Sequence, residues 1–229
     1  MGRVLLVRHG QASFGADDYD VLSPTGWEQG RMLGRHLAAA GLAPTSLARG
    51  AMRRHRETLE AVCEGAGWTA PAREDARLDE FDHVAVVAAH PEFAARGADH
   101  DRRSFQVLFE EATTRWTTGV DAGAGETYLA FRSRVQAGLL ALAEEAGAGR
   151  TVLAVTSGGV IAALAAALIL DVDLAATPAR DDVLAGAWQR LNAVCINTGV
   201  SGVVVGSTGL RLLTFNEHEH LDAAALTYR

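Results

Sequence analysis

The chain has 229 residues, of which 48% are hydrophobic and 21% charged, so it can bury a sizeable core. Its formal net charge of -7 argues against nucleic acid as a bulk partner. No apolar stretch is long enough to span a bilayer, and the N-terminus lacks the pattern of a signal peptide. We therefore expect a globular protein without a membrane partner, located in the cytoplasm by default.

Cysteine and aspartate spacing gives no indication of a metal site. Cys63 and Cys195 stand far apart with no Cys-x-x-Cys spacing, so buried thiols are expected rather than a disulfide. Asp17, Asp18 and Asp20 lack the spacing of a calcium loop. These three aspartates predict a solvated loop.

The first apolar run ends in residues that carry chemistry. Residues 4–7 are continuously apolar, which is typical of a strand buried on both faces in a parallel sheet. The run ends in Arg8, His9 and Gly10. Because ligands of open α/β sheets bind at the carboxyl ends of strands, we predict that Arg8 and His9 lie in the functional site. Gly10 allows a tight turn or the close approach of a ligand there.

Capping residues predict the next elements. Ser23 is a good N-cap, Pro24 suits a first helical turn, and Gly41 can end the helix. A weak strand is predicted over 44–48. The next helix is predicted over 49–63.

A cluster of arginines opens that second helix. Its members are Arg49, Arg53, Arg54 and Arg56. Cations at a helix N-terminus oppose the macrodipole, so the cluster is explained if an anion lies between its members. A charged face in solvent is the alternative, and it stays open here.

The middle third predicts a cover over the site rather than a second domain. Residues 69–78 are extended or irregular, and 104–116 have helical spacing. We interpret 84–125 as an insertion within one domain spanning 1–229. The insertion carries three large aromatic side chains, which predict core packing, with a pocket for an apolar leaving group as the alternative. They are Phe105, Phe109 and Trp116.

The last third predicts a second site-forming strand. A helix over 126–146 precedes an apolar strand at 151–156, which ends in Ser157-Gly158-Gly159 and a further helix. Free backbone N–H groups at such a turn suit an anion. Short strands are predicted at 191–197, 202–207 and 210–215. The fold class is therefore α/β, a three-layer α/β/α arrangement with a central, mostly parallel sheet.

In this order, the motifs resemble those of the histidine phosphatase superfamily, also called phosphoglycerate-mutase-like. The resemblance extends over nearly the whole chain. In the family's second arginine motif, the phosphate-binding arginine lies four residues before a threonine, which indicates Arg54. The matching segments are 8–10, 22–29, 52–58, 78–80 and 126–135.

This resemblance implies a phosphomonoesterase that works through a phosphohistidine on a small phosphorylated molecule. His9 would be the nucleophile and Glu80 the general acid, while Arg8 and Arg54 would bind the phosphoryl group. Two arginines offset the charge of a phosphomonoester dianion, so no metal or other cofactor is expected. The neighbouring carboxylates Asp79 and Asp82 are expected in solvent.

One position departs from the family pattern. The family's second histidine normally precedes Gly-Gly after the second core strand, and here Ser157 stands there. A serine supplies one neutral donor, so we expect a weakened role for Ser157, supported by the N–H groups of Gly158 and Gly159. Five other histidines are available to compensate, although each alone is expected at the surface: His55, His83, His90, His218 and His220.

Two further functions stay open. Ser157 is also consistent with a catalytically weak or inactive phosphate-binding or regulatory domain. A phosphoglycerate-type mutase is disfavoured, because Gly15 stands where mutases tend to carry an asparagine and longer insertions are missing. Ser13 is expected to be a solvated loop residue, with substitution for that asparagine as the alternative. A homodimer is the commonest oligomer, but nothing in the sequence argues for it.

Overall fold

The computed structural model describes residues 1–13, 20–96, 102–119 and 125–228. In this part of the chain, six strands form one sheet, in the order β3-β2-β4-β1-β5-β6. The strands are β1 (Gly2–Arg8), β2 (Ser46–Arg49), β3 (Ala72–Glu74), β4 (Thr151–Thr156), β5 (Val200–Gly206) and β6 (Gly209–Glu217). The first four run parallel, and β5 is antiparallel to both β1 and β6. The prediction of a mostly parallel central sheet is therefore confirmed.

Eight α-helices accompany the sheet within the described ranges. They are α1 (Pro24–Ala39), α2 (Arg53–Ala66), α3 (His83–Ala88), α4 (Pro91–Arg96), α5 (Arg102–Thr117), α6 (Tyr128–Glu145), α7 (Gly158–Leu170) and α8 (Asp182–Val194). None of them is both long enough and apolar enough to cross a membrane. The Ser23 hydroxyl accepts the Gly26 N–H, as expected of an N-cap.

Alternation along β1 places helices on both faces of the sheet. Val4 and Leu6 pack in one apolar core, which includes side chains of α6 and α7. Leu5 and Val7 pack in a second core with side chains of α1 and α2. Because successive strand residues point to opposite faces of the sheet, a continuous apolar run contributes side chains to both cores. The predicted α/β fold with flanking helical layers is confirmed.

The segment at 191–197 is not the short strand that its apolar residues predict. Helix α8 continues to Val194, and the chain then turns into β5. Asp181 caps this helix through the N–H of Leu184, and Leu184 and Trp188 are buried on one face. Their spacing of four is the helical signal that the strand prediction overlooked. Both cysteines are free thiols, Cys195 buried and Cys63 half-buried.

An aromatic cluster joins the predicted cover to the core. The ring centroids of Phe81 and Trp116 lie 4.6 Å apart in a stacked arrangement, and Trp116 is 1% exposed. Phe109 is half-buried against the same core. Core packing is therefore the correct interpretation of Trp116, whereas the side chain of Phe105 lies outside the described part. Since Phe81 follows Glu80 directly, this packing also fixes the segment that carries Glu80.

We expect Trp116→Ala to destabilise the fold by about 3–5 kcal/mol, because it removes a fully buried ring and leaves a cavity. The measurement is urea unfolding followed by circular dichroism. Trp27→Ala is the control: Trp27 is half-buried, beside Arg31, and its loss should cost at most about 1 kcal/mol. Equal losses in the two variants would contradict the described docking of α5.

Candidate functional site

The carboxyl ends of β1 and β4 lie side by side and form the candidate site. Arg8 is paired with Thr156 in the parallel ladder, and the His9 N–H donates to the Thr156 carbonyl at 2.9 Å. The Asn197 side chain donates to the His9 carbonyl at 3.0 Å. This ladder therefore brings Ser157, which follows β4, next to His9, as the sequence predicts for two adjacent strands.

The His9 ring has a fixed tautomer. Its Nδ1 lies 2.8 Å from the Gly10 carbonyl, and because a carbonyl only accepts, Nδ1 carries the hydrogen. The Nε2 atom is left with a lone pair. Burial, followed by the positive charges of Arg54 and Arg8, holds the pKa of His9 well below 6.5. The imidazole is thus neutral at neutral pH.

Arg54 lies in the first turn of α2, where the sequence places an anion-binding arginine. Its guanidinium is buried, and Nη1 lies 2.7 Å from Asp20 Oδ1. The other oxygen of Asp20 accepts the Arg53 N–H at 2.7 Å. The expectation of a merely solvated Asp20 is therefore wrong, because this carboxylate both caps α2 and pairs with Arg54. Arg54 Nε has no hydrogen-bond partner among the described residues.

Arg8 reaches the C-terminal segment and the start of α7. Its Nη1 donates to the carbonyl of Tyr228 at 2.7 Å and also contacts the Cys195 carbonyl. A Cβ atom on Gly158 would lie 3.4 Å from Arg8 Nε, so the guanidinium runs alongside the helix start. Arg8 and Gly158, both predicted to bind phosphate, are thus brought together.

Thr58 connects α2 to the loop after β1. Its hydroxyl donates to the Arg54 carbonyl at 2.7 Å and accepts the Gly10 N–H at 2.9 Å. This double contact is the physical reason for a threonine four residues after the arginine. One turn of helix places Thr58 above Arg54, and from there it holds the backbone beside His9.

Glu80 is half-buried against the start of α7. Its Oε2 accepts the Gly159 N–H at 2.9 Å, and Oε1 accepts the Phe81 N–H at 3.2 Å. Burial raises the pKa of Glu80, although the two N–H groups, Arg54 and Arg8 oppose this effect. A Cβ atom on Gly159 would overlap the Glu80 carboxylate, so the close approach of Glu80 to the start of α7 depends on a glycine at this position.

The structure adds a buried chain of contacts that the sequence analysis did not place. Ser157 is fully buried, with Oγ 2.7 Å from His55 Nε2. The His55 ring is also fully buried, and its centroid lies 5.9 Å from that of His9. His55 Nδ1 lies 3.6 Å from Asp79 Oδ1. The expectation of a surface His55 is therefore wrong. The available signal was its place between Arg54 and Thr58 on a helix whose first turn faces the site.

Asp79 is likewise more than a solvated carboxylate. Its Oδ1 accepts the Ala51 N–H at 2.6 Å, which ties the loop before α2 to the segment that carries Glu80. Asp82, by contrast, is exposed and caps α3 through the Ala85 N–H.

The other candidate histidines have different surroundings, and burial, followed by the nearby charge of Arg54, lowers the pKa of His83. His90 is buried beside Glu111, contrary to the expectation of a surface residue. His83 and His218 are half-buried. The half-buried His220 contacts Thr198 Oγ1 at 3.0 Å through Nε2. Of the loop positions, Gly15, Asp17 and Asp18 lie outside the described residues, whereas the Ser13 N–H donates to the Val21 carbonyl.

Comparison with known proteins identifies the family of this chain. The model of the histidine phosphatase superfamily (branch 1) matches residues 4–181. The chain belongs to this superfamily. The family resemblance inferred from the motifs is thereby confirmed. No curated protein sequence matches the chain.

Solved structures of other proteins share the fold at low sequence identity. Bacillus stearothermophilus YhfR has a TM-score of 0.66 at 20% identity, covering 96% of this chain and 99% of its own. A mutant phosphoserine phosphatase from Entamoeba histolytica, solved with phosphoserine, has a TM-score of 0.64 at 16% identity, covering 96% and 100%. A mycobacterial glucosyl-3-phosphoglycerate phosphatase has a TM-score of 0.61 at 23% identity, covering 94% and 99%.

We expect Thr58→Val to cost about 1–3 kcal/mol of stability, because it leaves the buried Gly10 N–H without its acceptor. Thr58→Ser keeps the hydroxyl and should restore most of that loss. Urea unfolding of both variants measures the difference. A valine variant as stable as the wild type would contradict the linking role of Thr58.

Proposed function

We propose that the protein is a phosphomonoesterase that hydrolyses a small phosphorylated molecule through a phosphohistidine on His9. The observation that carries this proposal is the 2.8 Å contact of His9 Nδ1 with the Gly10 carbonyl, which favours the hydrogen on Nδ1 and the lone pair on Nε2. Arg8 and Arg54 lie close enough to depress the pKa of this ring. Membership of the histidine phosphatase superfamily supports the same chemistry.

In the first step, the lone pair of His9 Nε2 forms a bond to phosphorus while the ester P–O bond breaks. The leaving oxygen takes the proton of Glu80, whose raised pKa favours the protonated acid. Arg8 and Arg54 bind the phosphoryl oxygens and offset their charge. This arrangement assigns no step to a metal.

In the second step, water attacks the phosphorus of the phosphohistidine. The ionised Glu80 takes one proton from that water, and the P–N bond breaks to return neutral His9 and release inorganic phosphate. We infer that Ser157 stands where the family has its second histidine. Ser157 and the N–H group of Gly158 then contribute donors to the transferring group.

A second candidate is a phosphate-binding domain without turnover. The contacts that favour it are those already made by the two arginines. Arg54 is paired with Asp20, and Arg8 contacts the carbonyls of Tyr228 and Cys195. In this candidate, phosphate binds weakly between the arginines and no covalent phosphoenzyme forms.

We expect His9→Ala to abolish phosphate release from a panel of phosphomonoesters that includes phosphoserine and p-nitrophenyl phosphate. Quenched wild-type enzyme should carry an acid-labile label from a ³²P-labelled substrate, and His9→Ala should carry none. His90→Gln is the control for loss of a buried histidine and should retain turnover. Turnover by His9→Ala would contradict the proposal, as would rearrangement of a phosphoglycerate without phosphate release, which is mutase behaviour. Phosphate binding without turnover or label would favour the second candidate.

We expect Glu80→Gln to lower turnover of phosphoserine by about 10²–10⁴-fold, because an alkoxide needs a proton to leave. Turnover of p-nitrophenyl phosphate should fall much less, since p-nitrophenolate leaves without one. Glu64→Gln, which changes an exposed carboxylate, is the control. Equal losses on both substrates would remove Glu80 from the role of general acid.

The pH profiles of the wild type and of Glu80→Gln test the protonation states proposed for His9 and Glu80. Activity should fall as the pH falls through the lowered pKa of His9, because the protonated ring cannot attack. Activity should also fall as the pH rises through the raised pKa of Glu80, because the ionised carboxyl cannot donate. Glu80→Gln should lose the alkaline limb and keep the acidic limb. The measurement is kcat/KM against pH.

A further inference from the structure

Asp79, His55 and Ser157 lie in a line beside His9, with Ser157 within hydrogen-bond distance of His55 and Asp79 just beyond it. The two ends of the His55 ring face different partners, with Nε2 2.7 Å from Ser157 Oγ and Nδ1 3.6 Å from Asp79 Oδ1. Both His55 and Ser157 are fully buried. A buried hydroxyl and imidazole in this order are able to pass the effect of a charge from one end of the line to the other.

The backbone around this line leaves room for it. A Cβ atom on Gly50 would overlap both His55 Nδ1 and Asp79 Oδ1. Asp79 is itself fixed, because its Oδ1 also accepts the Ala51 N–H. The pairing of His55 with Asp79 therefore depends on a glycine at position 50.

The charges around His55 keep its ring neutral in the free protein. Burial and the Arg54 guanidinium lower the pKa of His55, while Asp79 and Asp20 act in the opposite direction. His9 faces it from the end of β1 as a neutral ring. The carboxylate of Asp79 favours the hydrogen on Nδ1, so Nε2 accepts the hydroxyl hydrogen of Ser157. In this state, Ser157 has no hydrogen to donate to a phosphoryl oxygen.

We propose that His55 takes up a proton when a phosphoryl dianion binds beside His9, and that Ser157 thereby becomes a donor to the phosphoryl group. This inference rests on the proposed function. One N–H bond forms on Nε2 of His55, with the proton supplied by solvent or by the monoanionic substrate. Nε2–H then donates to Ser157 Oγ, and the serine hydrogen turns to a phosphoryl oxygen. His55 is thus a positioning residue that acts through Ser157.

The arrangement also explains how a serine serves at position 157. A neutral hydroxyl alone gives a weak donor, whereas a hydroxyl backed by an imidazolium gives a charge-assisted one. The positive charge comes from α2 rather than from the residue after β4. Asp79 stabilises that charge from the far side of the ring.

Proton uptake on binding inorganic phosphate tests this inference without any turnover. Calorimetric titrations in buffers of different ionisation enthalpy give the number of protons taken up. At a pH where phosphate is mainly the dianion, the wild type should bind more protons per phosphate than His55→Gln, with a maximum difference of one proton. His90→Gln should behave as the wild type. Equal uptake in all three proteins would overturn the inference.

Asp79→Asn provides a second variant that keeps both His55 and Ser157. Without the carboxylate, protonation of His55 is less favourable, so uptake should require a lower pH than in the wild type. Uptake unchanged in Asp79→Asn across the pH range would overturn the inference even if His55→Gln failed to fold.

Moving the imidazole from position 55 to position 157 gives a test by turnover of p-nitrophenyl phosphate. His55→Ala should lower turnover by about 10–10²-fold, the difference between a charged and a neutral hydrogen-bond partner. Ser157→His alone should also lower turnover, because a second ring does not fit beside His55. The double variant His55→Ala/Ser157→His should recover activity above either single variant. An increase in Ser157→His alone, with His55→Ala unchanged, would overturn the inference.

These outcomes separate this inference from the proposed function. Loss of the acid-labile label in His9→Ala tests the nucleophile, whereas phosphate binding and proton uptake do not depend on turnover. An acid-stable label on Ser157 would overturn both, because it would make the serine the nucleophile instead of a donor. Label on His9 with equal proton uptake in the variants would overturn this inference alone.

Discussion

The positive charge of Arg8 and Arg54 at the carboxyl edge of the sheet is the constraint on which the site depends. Both guanidiniums lower the pKa of His9 and the pKa of Glu80. At His9 this favours the neutral ring, and at Glu80 it favours the ionised carboxylate. Burial opposes them at Glu80 and acts with them at His9. The pKa of His9 is therefore held low and that of Glu80 is raised, and both directions favour the base and the acid of the proposed phosphoryl transfer.

The backbone converts this constraint into a fixed geometry. Parallel pairing of β1 with β4 places His9 beside Ser157, and Thr58 ties Arg54 to the Gly10 N–H. Glu80 reaches the same edge because its neighbour Phe81 is held in the aromatic cluster. The site therefore depends on how β1, α2, the segment that carries Glu80 and the start of α7 pack together.

The sequence predicted the parts of the site that follow from local pattern. An apolar run before His9, a cluster of arginines at the start of α2, and a glycine turn after β4 each follow from local sequence, and the structure places them together. The choice of Arg54 within that cluster came from the family resemblance. Helix α8 was missed because the apolar residues near its end also suit a strand. Its burial depends on packing against α7, since Trp188 donates to the Gly159 carbonyl.

The contact between His55 and Ser157 was beyond sequence reasoning for a different reason. The two residues are 102 positions apart, and their meeting depends on how α2 packs against β4 and on the space left at Gly50. A histidine at the start of a charged helix has the pattern of a surface residue. Burial of that ring is a tertiary effect, as is the pairing of Asp20 with Arg54.

A crystal structure of the protein with orthovanadate, which mimics the transferring phosphoryl group, tests the proposed attack of His9 on phosphorus. We expect vanadium bonded to His9 Nε2, with vanadate oxygens contacted by Arg8, Arg54 and Ser157 Oγ. Vanadium bonded to Ser157 Oγ, or vanadate held by the arginines at a distance from His9, would contradict this proposal.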